Sequence, residues 1–505
     1  MVGPVLSLSC RKCVGAFPFV TVAGFLWATQ LPMAQQAVAV PLSPNPNPPG
    51  SSLFFEGLND SVLVENESPF ENAGFVGFEA NAAFVNSAFF NNSGAFSLAN
   101  DAIFRNESTF ENLGSLNLSE GLVANAGRLN NRGGLNTQSG GSDLIVNEGF
   151  FNNIGKVDLN VALLENKETF NNAGLVSLNI ASIENAGMIE NAGRIEQKFE
   201  LADIFNSTGS TFLNRGEVRK VQLENEGLFV NRGIYNADGQ GAKRFFNGAS
   251  GTFINNGTAT VSTQLGTGGR SQFANKGLLK GTGSFSSVNG SGPGLVLSGG
   301  TIAPGGLFDS DTVVDTAGML TFEGDVTLSE ESILDISIGG LEENAFDVLK
   351  VVDGSAWLLG GRVSFSLLDD FDIDAALDPG DSRSLSFLSA DSGVVETGSK
   401  FDFSQIASEG LSFSVVQADG ALLLNIEKGT VPDNPVPDNP VPVEPVPVEP
   451  TVPEIPVDSV PDSGDSSGPV VSPGMPTGPA PRSVPEPSVL LGFLAVGGLG
   501  LRTRP

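Results

Sequence analysis

The chain has 505 residues and a formal net charge of −31, from 57 acidic against 26 basic residues. Such a surface repels nucleic acid and anionic lipid, keeps a long exposed protein soluble, and can draw in divalent cations. There is no histidine, and the two cysteines, Cys10 and Cys13, both precede residue 39, so a processed product is thiol-free and Cys or His nucleophiles, disulfides and Cys/His metal centres are excluded together.

Residues 1–39 carry Arg11-Lys12, an apolar run over 14–28, and small residues Ala37 and Ala39 at the −3 and −1 positions of a cleavage site. That order predicts an export signal peptide. Pro18 interrupts the run, which is too short to serve as a membrane anchor. Cys10 stands before the basic pair instead of after the apolar run, so a lipoprotein signal does not fit. Residues 40–52 read as a Pro- and Asn-rich lead-in.

From residue 53 to 260 one unit returns ten times, aligned on Asn66, Asn86, Asn106, Asn125, Asn147, Asn166, Asn185, Asn206, Asn225 and Asn247, at intervals of 19 to 22 residues. A period that short predicts a solenoid. The residue two before each of these asparagines is apolar, from Val64 to Phe245, as in a strand with one buried face. A second apolar column follows (Phe70, Phe90, Phe110, Leu129, Phe151, Phe170, Ile189, Phe212, Phe229, Phe253). Two residues after each of these comes a second asparagine, 72 through 255, and two further on a glycine, Gly74 through Gly257. Asn-x-Gly reads as a corner in which glycine supplies φ > 0 and asparagine bonds local backbone. Another apolar position two beyond the glycine completes about three short strands per unit, one turn of a three-sided, right-handed parallel β-helix. A helical solenoid needs ten or more residues of 3.6 periodicity, and here Gly or Asn interrupts every six.

Ten turns at about 4.8 Å make a rod of roughly 48 Å. Its phenylalanines would stack inside, each buried ring contributing on the order of 1.5–3 kcal/mol. Asparagines in register could form amide ladders. Enlarged corners at 134–143, at Thr208-Gly-Ser and at Ala249-Ser-Gly map to loops.

Residues 261–428 keep strand alternation but are punctuated by Gly266-Thr-Gly-Gly-Arg270, Gly281-Thr-Gly-Ser284 and Gly299-Gly-Thr-Ile-Ala-Pro-Gly-Gly306. None of these runs ends in Lys-Ser/Thr, so they are read as turns and not as phosphate loops. The succession Ala303-Pro-Gly-Gly306, Asp335-Ile-Ser-Ile-Gly339, Asp347-Val-Leu-Lys-Val-Val-Asp-Gly354 and Gly360-Gly-Arg-Val-Ser-Phe365 resembles the C-terminal part of autotransporter-type passenger β-helices. The resemblance implies a continuation and cap of the rod, which a solenoid needs to close its open strand edges. No membrane barrel of alternating strands follows, so the chain is not expected to be an autotransporter itself.

Residues 429–483 are dominated by pentads such as Val431-Pro-Asp-Asn-Pro and Val441-Pro-Val-Glu-Pro, which predict an extended polyproline II stalk. The tail, 484–505, opens with Val484-Pro485-Glu486-Pro487, continues through an apolar segment over 489–501 and ends in Arg502-Thr-Arg504-Pro505. It resembles the PEP-CTERM sorting signal, although its basic cluster is thin and ends in proline. The resemblance implies an apolar helix held transiently in the inner membrane of a two-membrane bacterium, recognition of Pro485-Glu486-Pro487 by an exosortase, and release or attachment at the cell surface. About 14 helical residues span roughly 21 Å, short of a ~30 Å hydrocarbon core, which suits a transient signal better than a permanent anchor.

Two places could carry chemistry. Carboxylates Glu67, Glu107, Glu148 and Glu226, with Glu71 and Glu111, face outward; those two turns apart would sit about 9.6 Å from each other, near the upper limit for an inverting glycosidase pair. No turn adds a further Asp, Arg or Tyr to mark it, so they read as a solvated face. Asp370, Asp372, Asp374, Asp378 and Asp381 follow calcium-loop spacing, but Ala375 replaces the expected glycine, Asp381 the bidentate glutamate, and Pro379 stiffens the backbone. The expectation is an exported, non-catalytic structural or adhesive rod of the cell surface or matrix, with an exosortase and extracellular polysaccharide as partners. A polysaccharide lyase or hydrolase and a calcium-dependent surface-layer protein are the alternatives.

Overall fold

The computed structural model describes residues 39–430 except 57–61, 81, 139–142, 199–201, 238–244, 263–272, 289–295, 310–311 and 369–370. All of them fall in the first of two units, Met1–Asp433. They form a β-solenoid in which the chain visits three sheets in turn. One full turn is Ala82–Asn86 in the first sheet, Phe90–Asn92 in the second and Ala95–Ala99 in the third. No helix occurs among the described residues.

Pairing between turns is parallel and in register. Val64, Phe84 and Phe104 face one another along the first sheet, and Phe70, Phe90 and Phe110 along the second. Alternation sets which side chains go inside, because successive residues of a strand point to opposite faces. The inward residues of all three sheets merge into one core. Its phenylalanine file is stacked as expected, Phe70 on Phe90 at 5.2 Å and Phe90 on Phe110 at 5.0 Å between ring centres. It resumes at Phe151–Phe170 (4.8 Å) and Phe212–Phe229–Phe253 (4.8 and 5.1 Å). Tyr235 joins this core with its hydroxyl donating to the Val221 carbonyl at 3.0 Å.

Both asparagine columns are buried and form continuous ladders. In the second column each side-chain amide donates to the Oδ1 of the next turn at 2.7–2.8 Å, from Asn47 through Asn255. The amide also reaches a main-chain carbonyl one turn on, as Asn72 does to Ala95 at 3.1 Å and Asn112 to Gly134 at 2.9 Å. The first column repeats the pattern from Asn66 to Asn275. A primary amide has two donors and a carbonyl oxygen, and the stack uses all three, so burial leaves no polar group stranded.

The corner glycines have a different job from the one expected. None of the column from Gly74 to Gly257 has positive φ. What they lack room for is a side chain: a Cβ on Gly94 would lie 2.0 Å from the carbonyl oxygen of Gly74, and on Gly114 1.9 Å from that of Gly94. Within the repeat the left-handed residues other than glycine sit instead at the third corner: Ala80, Asn100, Asp101, Glu120, Val161, Ile180 and Lys220, with φ from 31° to 66°. Stacking hydrogen bonds hold them there, such as Val161 N–H to the Asn179 carbonyl at 2.9 Å.

The ten turns of the repeat are not the ends of the rod. Ahead of them, Ala39–Pro41 pairs with the first-sheet strand Val62–Asn66, Ser52–Glu56 pairs with Phe75–Glu79, and Asn47 starts the second ladder, so the proline-rich lead-in contributes a turn of its own. Behind them, the first sheet runs on to Val394–Glu396 and the second to Lys400–Asp402. Of the glycine runs read as turns, Gly281 and Gly305 are left-handed and exchange both main-chain hydrogen bonds (2.8 and 2.9 Å); Gly266–Arg270 lies outside the described residues. The far end is closed by antiparallel strands, Ser382–Ala390 against Ala421–Lys428 and the latter against Leu411–Ala418. In the third sheet this turns the last parallel edge into a hairpin, which blocks further stacking there.

Candidate functional site

Two of the residue sets singled out in the sequence lie beyond the described residues: Val484, Pro485, Glu486 and Pro487 of the sorting motif, and Ala37 of the cleavage site. Ala39 begins the first strand. The stalk after residue 430 and the apolar tail segment also lie outside.

The acidic loop is described from Phe371 onward, without Asp370. Asp372 accepts from the N–H groups of Asp374 (3.0 Å) and Ala375 (3.1 Å), a local turn. Asp378 and Asp381 bond each other, main chain to main chain at 2.9 Å and Asp378 N–H to the Asp381 carboxylate at 3.3 Å. The Lys428 ammonium pairs with the Asp374 carboxylate at 3.1 Å and donates to the carbonyls of Asp374 and Leu377 at 2.8 and 2.9 Å. A calcium ion using that carboxylate and those carbonyls would have to displace this ammonium. Among the described residues no three acidic side chains gather as a ligand set.

The outward glutamates are mostly engaged. Glu107 pairs with Arg105 at 2.7 Å, Glu148 with Lys167 at 3.0 Å, and Glu226 accepts from Ser250 at 2.6 Å. A carboxylate pair that the sequence reading passed over is Glu165 and Glu184, register neighbours on the outer face of the first sheet. Burial, and then the charge of Glu165, raises the Glu184 carboxyl above the usual carboxylate range.

The most structured polar surface is the outer face of the second sheet. Its strands Thr109–Asn112, Arg128–Asn131, Phe150–Asn153, Thr169–Asn172 and Met188–Asn191 put Arg128, Phe150 and Thr169 in one column and Glu111, Asn130, Asn152, Asn171 and Glu190 in the next. Along the second column Asn130 donates to Glu111, Asn152 to Asn130 (2.7 Å) and Asn171 to Asn152 (3.0 Å). Leu113, Arg132 and Ile154 follow on the corner, with Leu113 and Ile154 about half exposed. The Arg128 guanidinium lies over the Phe150 ring, 5.4 Å from its centre. Arg128, Asn130, Arg132, Asn152, Asn171 and Glu190 line a shallow depression of about 430 Å³. Further along the same face the polar column gives way to Leu213, Val230 and Ile254, a separate buried apolar cluster.

The sequence matches no protein-family model, and no curated protein matches it.

Deeper in the rod, Asp347 is the most perturbed carboxylate. Its oxygens accept from Gly318 N–H at 3.0 Å and Ser337 N–H at 2.9 Å, fastening two turns together. Burial pushes its pKa up to about 7 in spite of those bonds. Because folded Asp347 then binds a proton more tightly than it does in the unfolded chain, its contribution to stability is fullest near pH 4 and is lost as pH rises to about 7. Asp347→Asn should flatten that slope, which is on the order of 3–4 kcal/mol across the window. Urea midpoints at pH 4.5 and 7.5 measure it; an unchanged slope would place the titration elsewhere.

Proposed function

We propose that the chain is an exported structural protein of the cell surface or extracellular matrix, a stiff rod followed in sequence by a proline-rich segment, sorted by an exosortase through Pro485-Glu486-Pro487. It acts by shape and adhesion, without catalysis. The observation that carries this reading is the pair of unbroken amide ladders: the rod's interior is given over to fastening turn to turn, from Asn47 to Asn275. A net charge of −31 keeps such an elongated surface soluble outside the cell. The signal-like first 39 residues and the Val484-Pro485-Glu486-Pro487 tail supply the route.

The test is the fate of the full chain in a two-membrane bacterium that has an exosortase. The native sequence should become accessible to protease on intact cells and shorter than its precursor. Replacing Pro485, Glu486 and Pro487 by alanine should leave the protein with the inner membrane. Recovery of uncleaved native chain in the cytoplasm, or the same distribution for both, overturns the proposal.

A further inference from the structure

We infer that the outer face of the second sheet, between the strands Thr109–Asn112 and Met188–Asn191, is a binding track for an acidic polysaccharide whose sugars carry carboxylates. The inference rests on the surface or matrix role proposed above and names the partner that role requires.

Three observations converge on this stretch. The first is repetition: Asn130, Asn152 and Asn171 present half-buried side-chain amides in register, one per turn. Turns repeat at about 4.8 Å, close to the length of one pyranose unit in an extended glycan, so successive sugars can meet successive amides. An amide offers a donor and an acceptor, which matches the hydroxyl pairs of a sugar edge. The second is charge. In a chain of net charge −31, Arg128 and Arg132 balance Glu111 and Glu190 along the track, so this stretch is locally neutral on a strongly acidic protein. Guanidinium forks bind carboxylates bidentately, and the Arg132 side chain is 57% exposed and held only at 3.8 Å by Glu111, a long contact that a glycan carboxylate can replace. The third is apolar surface beside the polar floor. Phe150 and Ile154 are 50% and 53% exposed on either side of Asn152. A half-exposed aromatic next to amides offers the apolar face of a sugar ring something to lie on while its edges are hydrogen-bonded.

The track also ends where it should. Beyond Glu190 the floor position becomes Leu213, Val230 and Ile254, which cannot pair with hydroxyls, so the site spans about five turns.

The experiment measures binding of the full chain to polygalacturonate, dextran and polyglutamate by titration at low and moderate salt. Polygalacturonate should bind, more weakly as salt rises, and dextran should not. The double variant Arg132→Glu, Asn152→Asp should lose at least tenfold in affinity with an unchanged melting temperature, whereas Lys350→Glu, on a different sheet, should bind as the native chain does. Phe150→Ala should lose affinity without altering the salt dependence. No binding of polygalacturonate, equal binding by the double variant, or equal binding of polyglutamate overturns the track. Failure of the sorting test with binding intact would remove the surface role and leave the track standing, and the converse result would do the opposite.

Discussion

Replacing Gly133 by alanine is expected to destabilise the rod by upwards of about 3 kcal/mol, while the same change at the adjacent Gly134 costs less than about 1 kcal/mol. A Cβ on Gly133 would stand 2.0 Å from the carbonyl oxygen of Gly114 and 2.7 Å from that of Leu113. Neither can step aside, since Gly114 O accepts from Gly134 N–H at 2.9 Å and the turn below is stacked in the same way. At Gly134 the nearest atom is the movable amide of Asn136, at 3.3 Å, and φ is not left-handed. There the lower entropy of the unfolded alanine chain offsets most of the contact. Guanidinium midpoints of the two variants decide the matter. Similar losses at both sites would mean that backbone freedom, and not the close approach of stacked turns, governs this corner.

Asn152 and Asn153 make the second contrast, between identical side chains on opposite faces of one strand. Asn153 accepts from Asn131 at 2.8 Å and donates to Asn172 at 2.7 Å and to the Leu175 carbonyl at 3.3 Å. Truncating it to alanine strands a donor and two acceptors in a dry interior, for an expected loss of about 3–5 kcal/mol. Asn153→Asp should be comparably damaging at neutral pH, because a carboxylate has no proton to offer Asn172. That loss should ease in acid, where the protonated acid can donate again. Asn152 is half-buried on the outer face, and its truncation should cost no more than about 1 kcal/mol. Equal losses at 152 and 153 would dismiss the ladder as a source of stability.

The architecture was legible because each inward position repeats with one kind of residue. Asn66 through Asn247 and Phe70 through Phe253 announce both the period and the buried faces, and the structure puts those columns where the alternation requires. The glycines were found for the wrong reason: a single sequence shows that a side chain is forbidden, but not whether backbone twist or the next turn forbids it. The left-handed third corner was hidden because Ala80, Glu120, Val161 and Ile180 share no chemistry. The outer columns escaped for a similar cause. Arg128, Phe150 and Thr169 look unrelated until register stacks them; reading every position between the Phe and Asn columns, and not only the constant ones, would have exposed Asn130, Asn152 and Asn171. What the sequence could not show of the acidic loop is its cation: Lys428 lies 54 residues from Asp374 in the chain, where no local spacing points to it.

Every amide in both ladders donates in the same sense, from the lower-numbered turn to the higher. A partly formed rod therefore ends in unused NH2 groups at its growing tip, and each arriving turn brings an acceptor to donors only 20 residues behind it in the chain, as Asn92 does for Asn72. Contacts that short in sequence are quick to close. A polypeptide delivered amino end first can thus zip up turn by turn as it emerges, its dipoles aligned like links of a one-way ratchet, without waiting for its last residue.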